Sequence, residues 1–251
     1  MRFSALLHGL LFPPKCAGCG KRMPLSPEKP EPAAFCPDCT QRLERAMRAQ
    51  CPECFCAYAD CRCTGTHLKK AGCSALVKLA AYNAPDAHAL RNTVLYLKDH
   101  RIARTFAQLA HWLQPGLAKA MEKSGYTKED AVIVYLPRSK RAARRAGTDQ
   151  AKELACALSV ESGIACEAHL VRRHHTKQQK RLTQAQRRRN LANSFEVVGS
   201  VSGRVVILVD DVVTTGATMC AGSKLLRAVG ATDVIGVCIA RTEKLCRKAH
   251  G

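Results

Sequence analysis

Along the C-terminal two thirds of the chain, apolar and polar positions follow two alternating periods. Short apolar runs bounded by turn residues predict strands over Ala75–Tyr82, Ala131–Leu136, Val205–Val209 and Val234–Ala240. Helical periodicity predicts helices over Asp86–Leu97, Ala103–Lys123, Asp149–Glu161 and Ala217–Val229, the last closed by Gly230. Strand and helix in alternation argue for an α/β fold, a parallel twisted sheet with flanking helices. In such sheets ligands bind at the carboxyl ends of strands, so chemistry is sought where the strands stop.

Before about Cys73 the texture is different. Phe3, Leu6, Leu7, Leu10 and Leu11 share one helical face, interrupted by Ser4, His8 and Gly9, and Pro13-Pro14-Lys15 suits neither a cleavage site nor a lipid anchor. This predicts a short amphipathic helix rather than a targeting segment. No run approaches the roughly 18 apolar residues of a membrane span. From Cys16 to about Gly72 the chain is polar and rich in Pro, Gly and Cys. It therefore divides into a Cys-rich module, 1–72, and a larger ligand-binding domain, 73–251.

Ten of the fifteen cysteines lie at or before Cys73. A disulfide scaffold would be short and secreted, which predicts reduced thiols and a cytoplasmic location instead. Cys16-x2-Cys19 and Cys36-x2-Cys39 have the spacing of a four-thiolate zinc site, two tight turns each presenting a pair of sulfurs. A second tetrad, Cys51, Cys54, Cys61 and Cys63, comes next, with Cys56 or His67 as alternatives for one ligand. The surrounding sequence offers little apolar material, so metal would supply the missing folding free energy, on the order of 10 kcal/mol. Four thiolates leave no open coordination position, and both zinc sites are therefore read as structural.

Forty Lys and Arg against twenty Asp and Glu give a formal net charge of +20. A balance this basic implies an anionic partner without saying which. Each zinc tetrathiolate would carry two negative charges, which brings the balance to about +16. The excess is uneven. Residues 138–145 hold five Lys or Arg and 172–189 hold eight, with no acid in either run. Any single one of these cations reads as solvated surface, but as blocks they would repel unless something anionic gathers them.

The most informative window runs from Val205 into Asp210-Asp211-Val-Val-Thr214-Thr215-Gly216-Ala217-Thr218. A buried strand ends on two adjacent carboxylates and passes into a hydroxyl- and glycine-rich turn that opens a helix. Helix N-terminal N–H groups and Thr hydroxyls can nest a phosphate dianion, and Gly216 allows close backbone approach. Two neighbouring carboxylates need donors or a cation between them, a requirement that sugar hydroxyls meet.

At these residues the chain resembles the type I phosphoribosyltransferases, whose signature binds the ribose 5-phosphate of phosphoribosyl pyrophosphate (PRPP). Two more stretches widen the match: Pro137-Arg138-Ser139 leading to Gly147-Thr148-Asp149-Gln150, and Thr176-x2-Gln179-x2-Leu182 leading to Arg187-Arg188-Arg189-Asn190 and Phe195. With the cysteine pairs in front, the order of parts is similar to the competence protein F (ComF) family over nearly the whole chain. One departure is Thr148, where that family usually has an aromatic.

The resemblance implies a type I phosphoribosyltransferase-like fold. It implies that Asp210 and Asp211 bind the ribose hydroxyls as the catalytic pair, and that Thr214, Thr215, Gly216, Ala217 and Thr218 hold the 5-phosphate. Arg138 and Ser139 would sit near pyrophosphate. The segment with Arg173, Lys177, Lys180 and Arg181 would close over the leaving group, and magnesium would accompany PRPP. It also implies a competing role in DNA uptake, with single-stranded DNA or a DNA-uptake helicase as partner and the PRPP site as a sensor. Nothing in Asp86–Lys123, including Lys98, selects an acceptor.

Overall fold

A computed structural model describes residues 13–23, 33–84, 87–138, 148–172 and 194–243. The amphipathic helix expected near the N-terminus, and Ser139, Arg173, Lys177, Lys180 and Arg181, lie outside the described residues. The elements are α1 (Pro37–Arg48), α2 (Thr66–Lys70), β1 (Cys73–Ala81), α3 (His88–Asp99), α4 (Ala103–Lys123), β2 (Ala131–Tyr135), α5 (Gln150–Ser162), β3 (Leu170–Arg172), β4 (Phe195–Val197), β5 (Val205–Val209), β6 (Val212–Val213), α6 (Ala217–Ala228) and β7 (Asp233–Arg241).

Strands β1, β7, β5 and β2 form a sheet in that order, every pairing parallel, and β6 continues beside β7 after β5 stops. The expected α/β architecture with a parallel sheet is therefore present. Each apolar run is long enough to be buried on both faces. Ile133, Ile207 and Ile235 pack on one side with α3, α4 and α5, while Val134, Leu208 and Val234 pack on the other with α6. Gly222 lets α6 approach the sheet, since a Cβ there would lie 2.9 Å from Leu136 Cδ2. β3 and β4 form a separate antiparallel pair that the sequence pattern did not predict, each being only three residues long.

The Cys-rich segment differs from the expectation that it has little to bury. α1 begins at Pro37, where the fixed φ of proline suits a helix start, and buries Cys39, Leu43 and Ala46. With Met23 and Phe35 these residues belong to the same buried core as β1, α3 and α4. Phe35 stacks on Trp112 at 5.5 Å between ring centroids. The segment thus borrows its apolar partners from distant helices, which a local window does not reveal. No helix among the described residues is long and apolar enough to cross a membrane.

Candidate functional site

The parallel register carries β5 alongside β7 as far as Val209, opposite Val237, and resumes with Val212 opposite Ala240. Asp210 and Asp211 occupy the interruption. Their backbones stay tied to β7, Asp210 N–H donating to Val237 O and Asp211 O accepting from Ile239 N–H, both at 3.0 Å. This anchoring holds both carboxylates at the sheet's carboxyl edge.

The two acids have different surroundings. Asp211 accepts from the Arg138 guanidinium at 3.0 Å and from the Val212 N–H at 2.7 Å. Asp210 accepts from the Asp211 N–H at 2.9 Å. Burial, and then the adjacent Asp211 charge, push the Asp210 carboxyl well above the ordinary aspartate range. Asp211 is thus paired with a cation, while burial and that neighbouring charge disfavour the ionised form of Asp210.

Past the acids the chain turns through exposed Thr214 and Thr215 to Gly216, whose φ of +74° makes it the left-handed cap of α6. No side chain caps α6, so its first N–H groups remain for a ligand, apart from Ala217 N–H, which meets Thr215 Oγ1 at 3.3 Å. Ala217 and Thr218 are half-buried at the helix start. The turn thus gathers hydroxyls, amides and a positive dipole end next to the acids.

Arg138, three residues past the end of β2, is positioned from two directions. Its N–H donates to Asp149, the N-cap of α5, at 3.2 Å, and its guanidinium donates to both Asp211 and Gln150 Oε1. Fully buried Gln150 in turn donates to Val94 O of α3 at 2.8 Å. A continuous hydrogen-bonded chain therefore joins α3, α5, the segment after β2 and the acid pair. The sequence reading left Gln150 without a role, although a Gln at a helix start in an apolar setting is a visible signal. It counted Arg172 in a basic run but gave it no role of its own. Arg172 lies 5.5 Å over the Phe195 ring; burial pulls its pKa down, and the Asp210 charge opposes that.

The cysteines assemble as two tetrads, Cys16, Cys19, Cys36, Cys39 and Cys51, Cys54, Cys61, Cys63, with each set of sulfurs within 4.8 Å of one another. Zinc with thiolate bonds of about 2.3 Å needs sulfurs roughly 3.8 Å apart, so both donor sets fit a zinc tetrathiolate. Cys63 is the fourth member of the second group, while Cys56 and His67 are exposed and outside it. Burial pushes the Cys16 thiol up, but N–H groups of Cys36, Gly18 and Cys19 bring it down to about 7. Burial likewise opposes ionisation of Cys61, and the adjacent Lys78 charge brings it to about 7. Cys39 and Cys63 are pushed up, by burial first and by neighbouring thiols second.

The phosphoribosyl transferase domain family model matches residues 143–250. The DNA utilization protein YhgH of Salmonella typhimurium is 30% identical over 236 residues, covering 93% of this chain and 99% of that protein. The Escherichia coli K12 protein of the same name is 31% identical over 216 residues, 83% of this chain and 90% of its own length. A ribose-phosphate pyrophosphokinase of Parasynechococcus marenigrum is 59% identical over 46 residues, 18% of this chain and 14% of that enzyme.

Proposed function

The chain belongs to the ComF family, and on that premise we propose that it binds PRPP with magnesium at the carboxyl edge of the sheet. The carrying observation is the junction at Asp210–Gly216: two acids whose backbones are fixed to β7, followed by a turn that delivers exposed Thr hydroxyls and an uncapped helix start. In this reading Asp210 and Asp211 take the ribose hydroxyls and residues 214–218 take the 5-phosphate. Arg138 leaves Asp211 for the pyrophosphate, next to Ser139, Arg173, Lys177, Lys180 and Arg181. Residues 1–72 serve as a zinc-bearing module for the phosphoribosyltransferase-like domain, 73–251.

If an acceptor is present, its nucleophilic atom bonds to the anomeric carbon as the C–O bond to pyrophosphate breaks and the electron pair leaves with pyrophosphate. Arg138 and the neighbouring cations offset that departing charge, and the acid pair orients the ribose. Magnesium, when bound with PRPP, supplies further charge compensation at pyrophosphate. No side chain among the described residues stands out as the base that removes the acceptor's proton.

A second reading, single-stranded DNA binding with the PRPP site as a sensor, is favoured by one feature. Phe55 lies on the second cysteine knuckle, 73% exposed, with φ of +59°, and could stack on a base. Isothermal titration with Mg-PRPP tests the first reading: heat from the wild type and none from Asp210→Ala/Asp211→Ala are expected, and no heat from the wild type overturns it. Salt-dependent single-stranded DNA binding that survives the Asp changes and is lost in Phe55→Ala would favour the second.

A further inference from the structure

Strand β1 reads Cys-Ser-Ala-Leu-Val-Lys-Leu-Ala-Ala, with one charged residue in an apolar run. Lys78 is fully buried, and the register places it opposite Cys238 of β7. Its Nζ lies 3.1 Å from Cys61 Sγ, 3.3 Å from Cys63 O and 3.5 Å from Leu76 O. An ammonium has three donors, and these three acceptors engage them. No carboxylate forms an ion pair with Lys78 among the described residues. A buried charge without a counter-charge is strongly disfavoured, and two backbone carbonyls supply none. The sulfur of Cys61 does so once it is a metal-bound thiolate.

We propose that Lys78 is a positioning residue of the second metal centre: its ammonium donates to the Cys61 thiolate, offsets one of the two negative charges of a zinc tetrathiolate, and fastens that centre to the sheet. Neighbouring contacts reinforce the attachment. Leu76 N–H donates to Arg62 O at 3.2 Å, so the stretch between Cys61 and Cys63 lies along the free edge of β1. Arg241, at the end of β7, donates to Cys63 O at 3.2 Å and pairs with Glu53 between the first two ligands. The first tetrad has no such cation: Cys16 Sγ accepts the Cys36 N–H at 3.3 Å, and no Lys or Arg donates to its sulfurs among the described residues. Outer partners of this kind orient a ligand and moderate its electron donation to the metal.

The proposal rests on reading the second tetrad as a metal site, and one experiment on the full chain separates the two. Wild type, Lys78→Met and Lys78→Gln are loaded with Zn2+ or Co2+, the ions are counted by native mass spectrometry, and a chelator is titrated while iodoacetamide labelling reports which cysteines are released. Two ions per chain are expected in all three proteins. In Lys78→Met, Cys51, Cys54, Cys61 and Cys63 should give up their ion with an affinity reduced about 10–100-fold, and the first tetrad should behave as in the wild type. The sulfur-to-cobalt charge-transfer band of the second site should move to lower energy, because a thiolate relieved of its hydrogen bond is the better donor. Lys78→Gln, which keeps a donor without the charge, should restore most of the band position but only part of the affinity.

Wild-type affinity and an unmoved band in Lys78→Met would overturn the proposal alone. A wild type whose second tetrad holds no ion would overturn the metal reading of that tetrad and the proposal with it. If Lys78→Met does not fold, wild type loaded with 113Cd decides: scalar coupling from the metal to the Lys78 ammonium protons supports the contact, and its absence overturns it.

Discussion

The two cysteine tetrads offer a metal the same donors in opposite settings. The first is held by side chains of the helical layer, none of them a cation on its sulfurs among the described residues: Asn92 of α3 donates to Gly18 O, Arg104 of α4 donates to Lys15 O, and Phe35 packs on Trp112. The second is held by charge at the carboxyl edge of the sheet, where Lys78 and Arg241 reach its sulfur and backbone. Equal ligand chemistry therefore need not mean equal function. One tetrad lies against the helical layer, whereas the other contacts the strands that carry the acid pair and is followed by α2, whose Leu68 approaches Gly216 of the Thr-Thr-Gly turn.

The sharpest way to break this comparison is to remove one ligand from each tetrad. Cys61→Ala should cost more stability than Cys19→Ala, because it also strips Lys78 of its counter-charge. An unpaired buried charge costs about 3–5 kcal/mol. Denaturant unfolding of both variants checks the order, and equal losses would mean that the charge setting is irrelevant. A smaller effect is expected from the apolar anchors. Leu68→Ala and Leu43→Ala should each lose about 2–5 kcal/mol, both side chains being buried. Only Leu68→Ala should also weaken Mg-PRPP binding in titration calorimetry, since Leu43 belongs to the first tetrad's helix.

The smallest effect concerns pH. The fold raises the Asp210 pKa, so it favours the protonated carboxyl. That contribution is fully present below the unfolded pKa of about 3.9 and is lost as pH rises through the folded value. Asp210→Asn should therefore unfold at a higher denaturant concentration than the wild type at neutral pH, with the gain shrinking as the solution is acidified toward the ordinary aspartate range. It should leave zinc at both tetrads. Loss of the second zinc in this variant would mean that the acid pair and the metal centre cannot be treated separately.

Much of the sheet was legible because its strands are continuous apolar runs. The expected helix Ala103–Lys123 and strand Val205–Val209 have the observed bounds, and Asp149 is the cap rather than the first residue of its helix. Short elements escaped. Pro37–Arg48 buries only three residues, and its partners are distant in the chain, so its surroundings read as polar. In the site, the Asp-Asp-x-x-Thr-Thr-Gly turn was visible as a contiguous string. The Arg138–Gln150 link and the approach of Arg172 to Asp210 were not, because they depend on how β2, α5 and β3 are placed beside β5.

Both sets of cysteine pairs, the acidic turn after β5 and the family are already written in the order of residues. These are local strings whose spacing constrains the chemistry before the chain folds. Folding was needed to bring Cys63 rather than Cys56 or His67 beside the other three sulfurs, Asp211 beside Arg138, and Lys78 beside Cys61. The physical reason is separation: Arg138 and Asp211 are 73 residues apart, and Lys78 and Cys61 are 17 apart. A buried charge in a strand signals that a partner exists, but only the packed sheet brings that partner within hydrogen-bonding reach.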